Sequence, residues 1–194
     1  MPDQTTDEAL LARACQGDEA AFLALYERYR DAIYRFAYRL LGSAALAEDI
    51  AHDCFLSLLR RPEGFDPTRA SLRTYLYAAV RNLALKQFRR PRLEVTLDDL
   101  KDEPTAATAQ QPLRQLLAAE LSAAVRRAID NLPQLQREAL ILFEYEELSL
   151  AEIASVVEAD VGAVKARLAR ARENLRRELA PYMSGDTRAR ELDK

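Results

Sequence analysis

Apolar residues recur along most of the chain at intervals of three and four, and the rhythm breaks where Gly, Pro, Asp or Ser appear. Thr5 and Glu8 have capping-box spacing and open a predicted helix carrying Leu10, Leu11 and Ala14. Gly17 stops it, and Asp18 caps a longer one along Phe22, Leu25, Tyr26, Tyr29, Ile33, Phe36 and Leu40. Gly42 and Ser43 repeat the stop and cap. The third helix turns Ile50, Cys54, Phe55, Leu58 and Leu59 inward and leaves Glu48, Asp49, His52 and Asp53 toward solvent. Pro62, Gly64 and Pro67 break residues 61–68 into a loop, and a fourth helix is expected over 71–88.

Residues 93–112 lose the period, carry Pro104 and Pro112, and are acidic, which marks a linker. The pattern predicts an all-α chain of two small helical domains, 1–92 and 113–182, with a polar, frayed tail over 183–194. In the second half the rhythm resumes through Leu116, Leu117, Leu121, Val125 and Ile129. It breaks at Asn131-Leu132-Pro133, where Pro133 suits a first helical turn, then continues to Phe143.

Residues 149–168 carry the sharpest local motif. Ser149 and Glu152 form a second capping box, and the short helix they open is expected to bury Leu150, Ile153, Ala154 and Val157. Glu158 and Ala159 make a turn and Asp160 is a cap for the next helix. On that helix Val164, Leu168, Leu175 and Leu179 share one face, with Lys165, Ala166, Ala169, Arg170, Arg176 and Arg177 opposite. A short helix, a tight turn and a longer basic helix suit insertion into a DNA major groove.

Charge sharpens the picture. The net charge is only −3, yet it is segregated. Residues 69–92 hold seven bases and no acid, and 165–177 hold six bases and one acid. Between them, residues 94–103 carry five acids against one base, and 138–160 carry seven acids and no base. Two cationic stretches held apart by anionic ones imply two polyanion contacts.

With 194 residues, 49% hydrophobic and 30% charged, the chain suits one medium or two small globular domains. Two cysteines and one histidine leave no disulfide framework or four-ligand zinc site, and nothing calls for a cofactor. No apolar run approaches the roughly 18 residues that span a bilayer, and no secretory signal is visible, so a cytoplasmic protein without membrane insertion is expected. A lone histidine and no phosphate-cradling glycine loop argue against an enzyme.

Residues 47–56 (AEDIAHDCFL) and 64–84 (GFDPTRASLRTYLYAAVRNLA) resemble region 2 of bacterial sigma factors. Asn131-Leu132-Pro133 with Arg137, then residues 149–171, resemble region 4. In this order they are similar to the extracytoplasmic-function class, which implies a non-enzymatic initiation factor that brings core RNA polymerase to promoter DNA, with an anti-sigma factor as a possible further partner. By the same resemblance Asp49, His52 and Asp53 face the polymerase clamp helices. Arg69, Arg73, Arg81, Asn82, Lys86, Arg89 and Arg90 fall in the reader of the single-stranded −10 element. Phe65, Tyr75 and Tyr77 are stacking platforms or core residues, with a core role at least as well supported. Lys165, Arg167 and Arg170 fall on contact positions of the −35 duplex reader.

The match has departures. Tyr75 stands where the family usually has Trp, Lys86 replaces a usual Asp, and Glu158 holds a turn position commonly Gly. A positive φ at Glu158 would cost about 1 kcal/mol. Ala166 and Ala169 leave few hydrogen bonds to define a −35 sequence. Two other classes fit parts of the chain. A helix-turn-helix regulator acting on duplex DNA alone leaves the 69–92 cations without a role, and a helical scaffold predicts no DNA-dependent activity.

Overall fold

A computed structural model describes residues 6–89 and 112–191, with side chains described over 6–87 and 118–182. Among the described residues the chain is helical throughout: α1 (Asp7–Cys15), α2 (Glu19–Leu41), α3 (Ala44–Arg60), a short 3-10 turn (Pro62–Gly64), α4 (Leu72–Arg89), α5 (Pro112–Asp130), α6 (Gln134–Glu144), α7 (Leu150–Val156) and α8 (Val161–Glu191). None of these helices is long and apolar enough to cross a membrane. The linker expected over 93–112 lies outside the described residues apart from Pro112, which begins α5.

The chain divides into two compact units: residues 1–100 with 141–161, and residues 101–140 with 162–194. In the first unit α2 is the central element, packing on α1, α3 and α4. Its Leu25, Ile33 and Phe36 are buried, as are Phe55 and Leu58 of α3 and Leu72, Leu76 and Tyr77 of α4. Edge-on ring contacts tie the helices, with Phe36 against Tyr77 at 5.1 Å and Tyr26 against Phe55 at 5.0 Å. Residues 141–161 add Ile141, Leu142, Leu148 and Ile153 to this unit, and α7 packs on α4.

The second unit buries Leu132, Leu140 and Ala171, with Ile129 and Leu175 packed against them. Asn174 of α8 donates to the Gln136 side chain at 2.8 Å, and Asn131 donates to Glu178 at 2.7 Å.

The caps follow from side-chain oxygens satisfying amides that a helix start leaves without partners. Asp18 accepts from Ala21, Ser43 from Leu46, and Ser149 from Glu152, whose carboxylate returns to the Ser149 amide at 2.9 Å. Gly42 ends α2 with φ of 69°, a left-handed conformation that glycine adopts without a Cβ clash.

Four expectations are corrected. Thr6, not Thr5, caps α1, accepting from Ala9. Val156 is buried in α7 whereas Leu150 is half-buried, because Leu150 stands at the first helical position, before the buried stripe begins. Leu59 is likewise half-buried, at the edge of the α3 stripe. The backbone stays helical through Pro181 to Glu191, where a frayed tail was expected. An interior proline costs about 3 kcal/mol, and here the helix continues past it.

Candidate nucleic-acid interface

Three surfaces carry the residues singled out by the sequence. On α3, burial of Ile50, Cys54, Phe55 and Leu58 leaves Glu48, Asp49, His52 and Asp53 exposed on the opposite face. They line a groove of about 610 Å³ whose other wall is Tyr26, Arg30, Asp31 and Tyr34 of α2. Charge and pattern had not pointed to this second wall, although Tyr26, Arg30 and Tyr34 recur at the four-residue spacing that shares a helix face. Arg30 lies over the Tyr26 ring at 6.0 Å. Cys54 beneath this face donates its thiol to the Leu76 carbonyl, and burial pushes its pKa up to about 12, which keeps it protonated and inert.

The second surface is the loop before α4 and α4 itself. Asp66 accepts from the Thr68 hydroxyl at 2.7 Å and its amide at 2.9 Å; these bonds hold its carboxyl below the ordinary value and fix the turn after Phe65. Phe65 is buried against Tyr75, ring centres 5.6 Å apart, and Ser71 accepts from the Thr74 amide to start α4. Arg69, Asn82 and Lys86 are exposed.

Arg81 is not a surface cation: it is only 8% exposed, on the α4 stripe that also buries Tyr77, Val80 and Ala84. A run of basic residues reports charge but not direction, and the helical period turns this one inward. Tyr77 is 1% exposed, a core residue rather than a stacking platform, and Tyr75 is half-buried. The side chain of Arg89 and all of Arg90 lie outside the described residues.

Half-buried Arg73 donates to the backbone carbonyl of Glu146 and lies 5.7 Å from the Tyr77 ring. The Tyr77 hydroxyl donates to the Glu146 carboxylate at 2.6 Å, and Arg39 of α2 donates to its other oxygen at 3.1 Å. Burial first, then this carboxylate, pushes the Tyr77 phenol well above its ordinary value, so it remains a donor.

The third surface is α8. Lys165, Ala166, Ala169, Arg170, Arg176 and Arg177 are exposed, while Val164, Leu168 and Ala171 are buried. Arg167 is half-buried, and its Nη1 is buried without a hydrogen-bond partner among the described residues. Its guanidinium is therefore less available than the Lys165 ammonium or the Arg170 guanidinium, because position 167 borders the buried stripe. The turn before α8 places Glu158 at φ of 52°, the left-handed conformation expected to favour glycine.

An acid-faced α3, followed along the chain by the cation-bearing α4, a capped α7 and the base-faced α8, is the order expected of a sigma-type transcription factor, and comparison with known proteins agrees. Residues 25–93 match the model of Sigma-70 region 2, and residues 122–175 match Sigma-70, region 4. The chain is 33% identical over 172 residues to the ECF RNA polymerase sigma factor SigW of Bacillus subtilis, covering 84% of this chain and 91% of that protein. It is 32% identical to the RNA polymerase sigma-H factor of Pseudomonas aeruginosa, covering 94% and 98%. Among solved structures, CnrH in complex with the cytosolic domain of CnrY is 26% identical with a TM-score of 0.67, covering 90% of this chain and 97% of that one. The sigma factor RpoE of Bartonella quintana, in complex with the anti-sigma factor NepR, shares the fold at a TM-score of 0.64 and 21% identity, covering 82% and 96%.

The chain belongs to the ECF RNA polymerase sigma factors. It is a DNA-binding transcription initiation factor that directs core RNA polymerase to promoters.

Proposed function

We propose that residues 1–92 form the polymerase-docking and −10-reading part of this factor, that 93–112 link it to a −35-reading part over 113–182, and that 183–194 are a terminal extension. The observation that carries this reading is the separation of charge by element. The exposed acids Asp49 and Asp53 share a face of α3 with His52, while the exposed bases Lys165 and Arg170 sit on α8 behind a fully capped α7.

Asp49, His52 and Asp53 offer anionic and hydrogen-bonding groups beside an aromatic groove, suited to basic residues of a polymerase helix. Arg69, Arg73, Lys86, Arg89 and Arg90 hold the phosphates of the displaced strand, and Asn82 faces its bases. Lys165 and Arg170 anchor and read the −35 duplex, with Arg167 contributing from the edge and Ala166 and Ala169 in reach of thymine methyls. The factor performs no bond chemistry and acts in the cytoplasm, where polymerase and promoter are found. The similar sigma factor RpoE is bound by the anti-sigma factor NepR, which supports an anti-sigma factor as a further partner of this chain.

Reconstitution tests the reading. Purified chain is mixed with sigma-free bacterial core polymerase, and transcript starts are mapped on a genomic fragment library. Discrete new starts sharing two upstream motifs are expected. No starts and no co-elution with core would overturn the proposal, and tight footprints by the chain alone would replace it with a duplex regulator.

A further inference from the structure

The groove between α2 and α3 already holds one guanidinium. Arg30 of α2 reaches back one helical turn over the Tyr26 ring, 6.0 Å from its centre. That ring is held in place by Phe55 of α3, edge-on at 5.0 Å, and by Phe22 at 6.1 Å. Asp31 pairs with the Arg30 guanidinium at 3.3 Å. The α3 wall carries Glu48, Asp49, His52 and Asp53, and Tyr34 extends the aromatic side. All of these residues belong to the same compact unit.

Among the described residues that line the groove, Arg30 is the single arginine or lysine, set against four acids. It is also loosely held: its side chain is 54% exposed and that of Asp31 is 70% exposed. Exposed ion pairs and exposed cation–π contacts are both weak, so the guanidinium leaves the ring at little cost. A fixed aromatic face ringed by carboxylates is a seat for a guanidinium, and Arg30 shows that one fits. A basic polymerase helix, assigned above to this face, brings arginines of the same chemistry. None of them reaches the Tyr26 face while Arg30 covers it, and its charge repels them.

We infer that Arg30 is a specificity-determining placeholder in polymerase docking, occupying the seat on Tyr26 that an arginine of the docking helix takes. The inference rests on the assignment of the α3 face to core polymerase. The placeholder sets the affinity for core below what the acidic walls alone would give. A basic surface without an arginine at that position gains nothing by displacing Arg30, so the exchange favours the correct helix over other cationic partners.

Titration of fluorescently labelled, sigma-free core polymerase with the full chain tests the exchange. Arg30→Ala is expected to bind core about threefold more tightly than the native chain. Arg35→Ala removes the same charge from an exposed position on α2 outside the groove, and its affinity is expected to change by less than about twofold. Equal effects of the two variants would overturn the inference, since only bulk charge would then matter. Weaker binding by Arg30→Ala would overturn it as well, by making Arg30 a direct contact with the partner.

Tyr26→Leu keeps apolar bulk and removes the ring. In that background Arg30→Ala is expected to bring no gain, and a gain that persists would show repulsion without a seat and overturn the placeholder. If Tyr26→Leu fails to fold, the comparison of Arg30→Ala with Arg35→Ala still decides. Asp53→Ala separates this inference from the reading beneath it. Weaker core binding by Asp53→Ala without tighter binding by Arg30→Ala sinks the placeholder and leaves the docking face standing. No effect of Asp53→Ala, or no binding of core by the native chain, overturns the docking assignment and the placeholder with it.

Discussion

The hydroxyl of Tyr75 closes over Gly64: a Cβ at that glycine would stand 3.0 Å from the phenolic oxygen. The same ring packs on Phe65, so one side chain of α4 supports two successive residues of the loop that leads into the basic helix. Tyr75 thus places its polar end against the loop backbone. Gly64→Ala is expected to cost about 1 kcal/mol of stability by overpacking, and to lower promoter opening by the reconstituted holoenzyme. Removing the oxygen relieves the clash, so Tyr75→Phe should recover about 0.5 kcal/mol or more in the Gly64→Ala background. Chemical denaturation of the four proteins of this cycle checks it; strictly additive effects would show that the contact does not shape the loop.

The Ser149–Glu152 capping box links stability to acid. The Ser149 hydroxyl, then its amide, hold the Glu152 carboxyl below its ordinary value of 4.5. A depressed carboxyl stabilises the fold above its unfolded pKa and loses that contribution as pH falls through the folded one. The stabilisation should therefore be complete above about pH 5 and decline on acidification below it, and the Asp18 cap, also depressed, acts in the same direction. Ser149→Ala is expected to cost about 1 kcal/mol at pH 7. Its thermal midpoint should also fall less steeply than that of the native chain between pH 5 and 3. Parallel curves would remove the capping box from the pH response.

Glu158 occupies a turn at φ of 52°, where a side chain bears strain that glycine does not. Glu158→Gly is expected to raise stability by about 0.5–1 kcal/mol, the relief of left-handed strain exceeding the added freedom of the unfolded chain. A raised thermal midpoint with the helix content unchanged is the expected outcome. A lowered one would show that the Glu158 side chain contributes interactions worth more than the strain.

Helices and caps were legible because their causes are local. Asp18, Ser43 and Ser149 each act within three residues, and the α3 stripe follows from helical period alone. Arg81 was not legible as a buried residue: it sits one turn beyond Tyr77 on the same inward stripe, and a count of cations along the chain carries no direction. The role of Glu146 was still less so. It was one of seven acids between residues 138 and 160, and its partners Arg39, Arg73 and Tyr77 lie 107, 73 and 69 residues away. Such a pairing follows from tertiary packing, which no spacing rule reports. The α2 wall of the acidic groove was hidden for a related reason, since Tyr26 and Tyr34 resemble ordinary core aromatics until α3 is set beside them.

The assignment of faces is open to a direct contrast between α3 and α8. Asp53→Ala removes an exposed charge from the groove rim, where a surface ion pair is worth about 1 kcal/mol or less. It should weaken core-polymerase binding by up to about fivefold while leaving the preferred promoter sequence unchanged. Arg170→Ala removes an exposed guanidinium from α8 and, on the proposed assignment, should cost about 1–3 kcal/mol on a duplex −35 element, with core binding intact. Titrating labelled core against each variant, then the holoenzyme against duplex promoter fragments, separates the two. If Asp53→Ala shifted promoter preference and Arg170→Ala released polymerase, the two faces would have to be exchanged. If Arg170→Ala weakened all duplexes equally and reduced the salt slope by about one, Arg170 would be a phosphate anchor and not a reader of base edges.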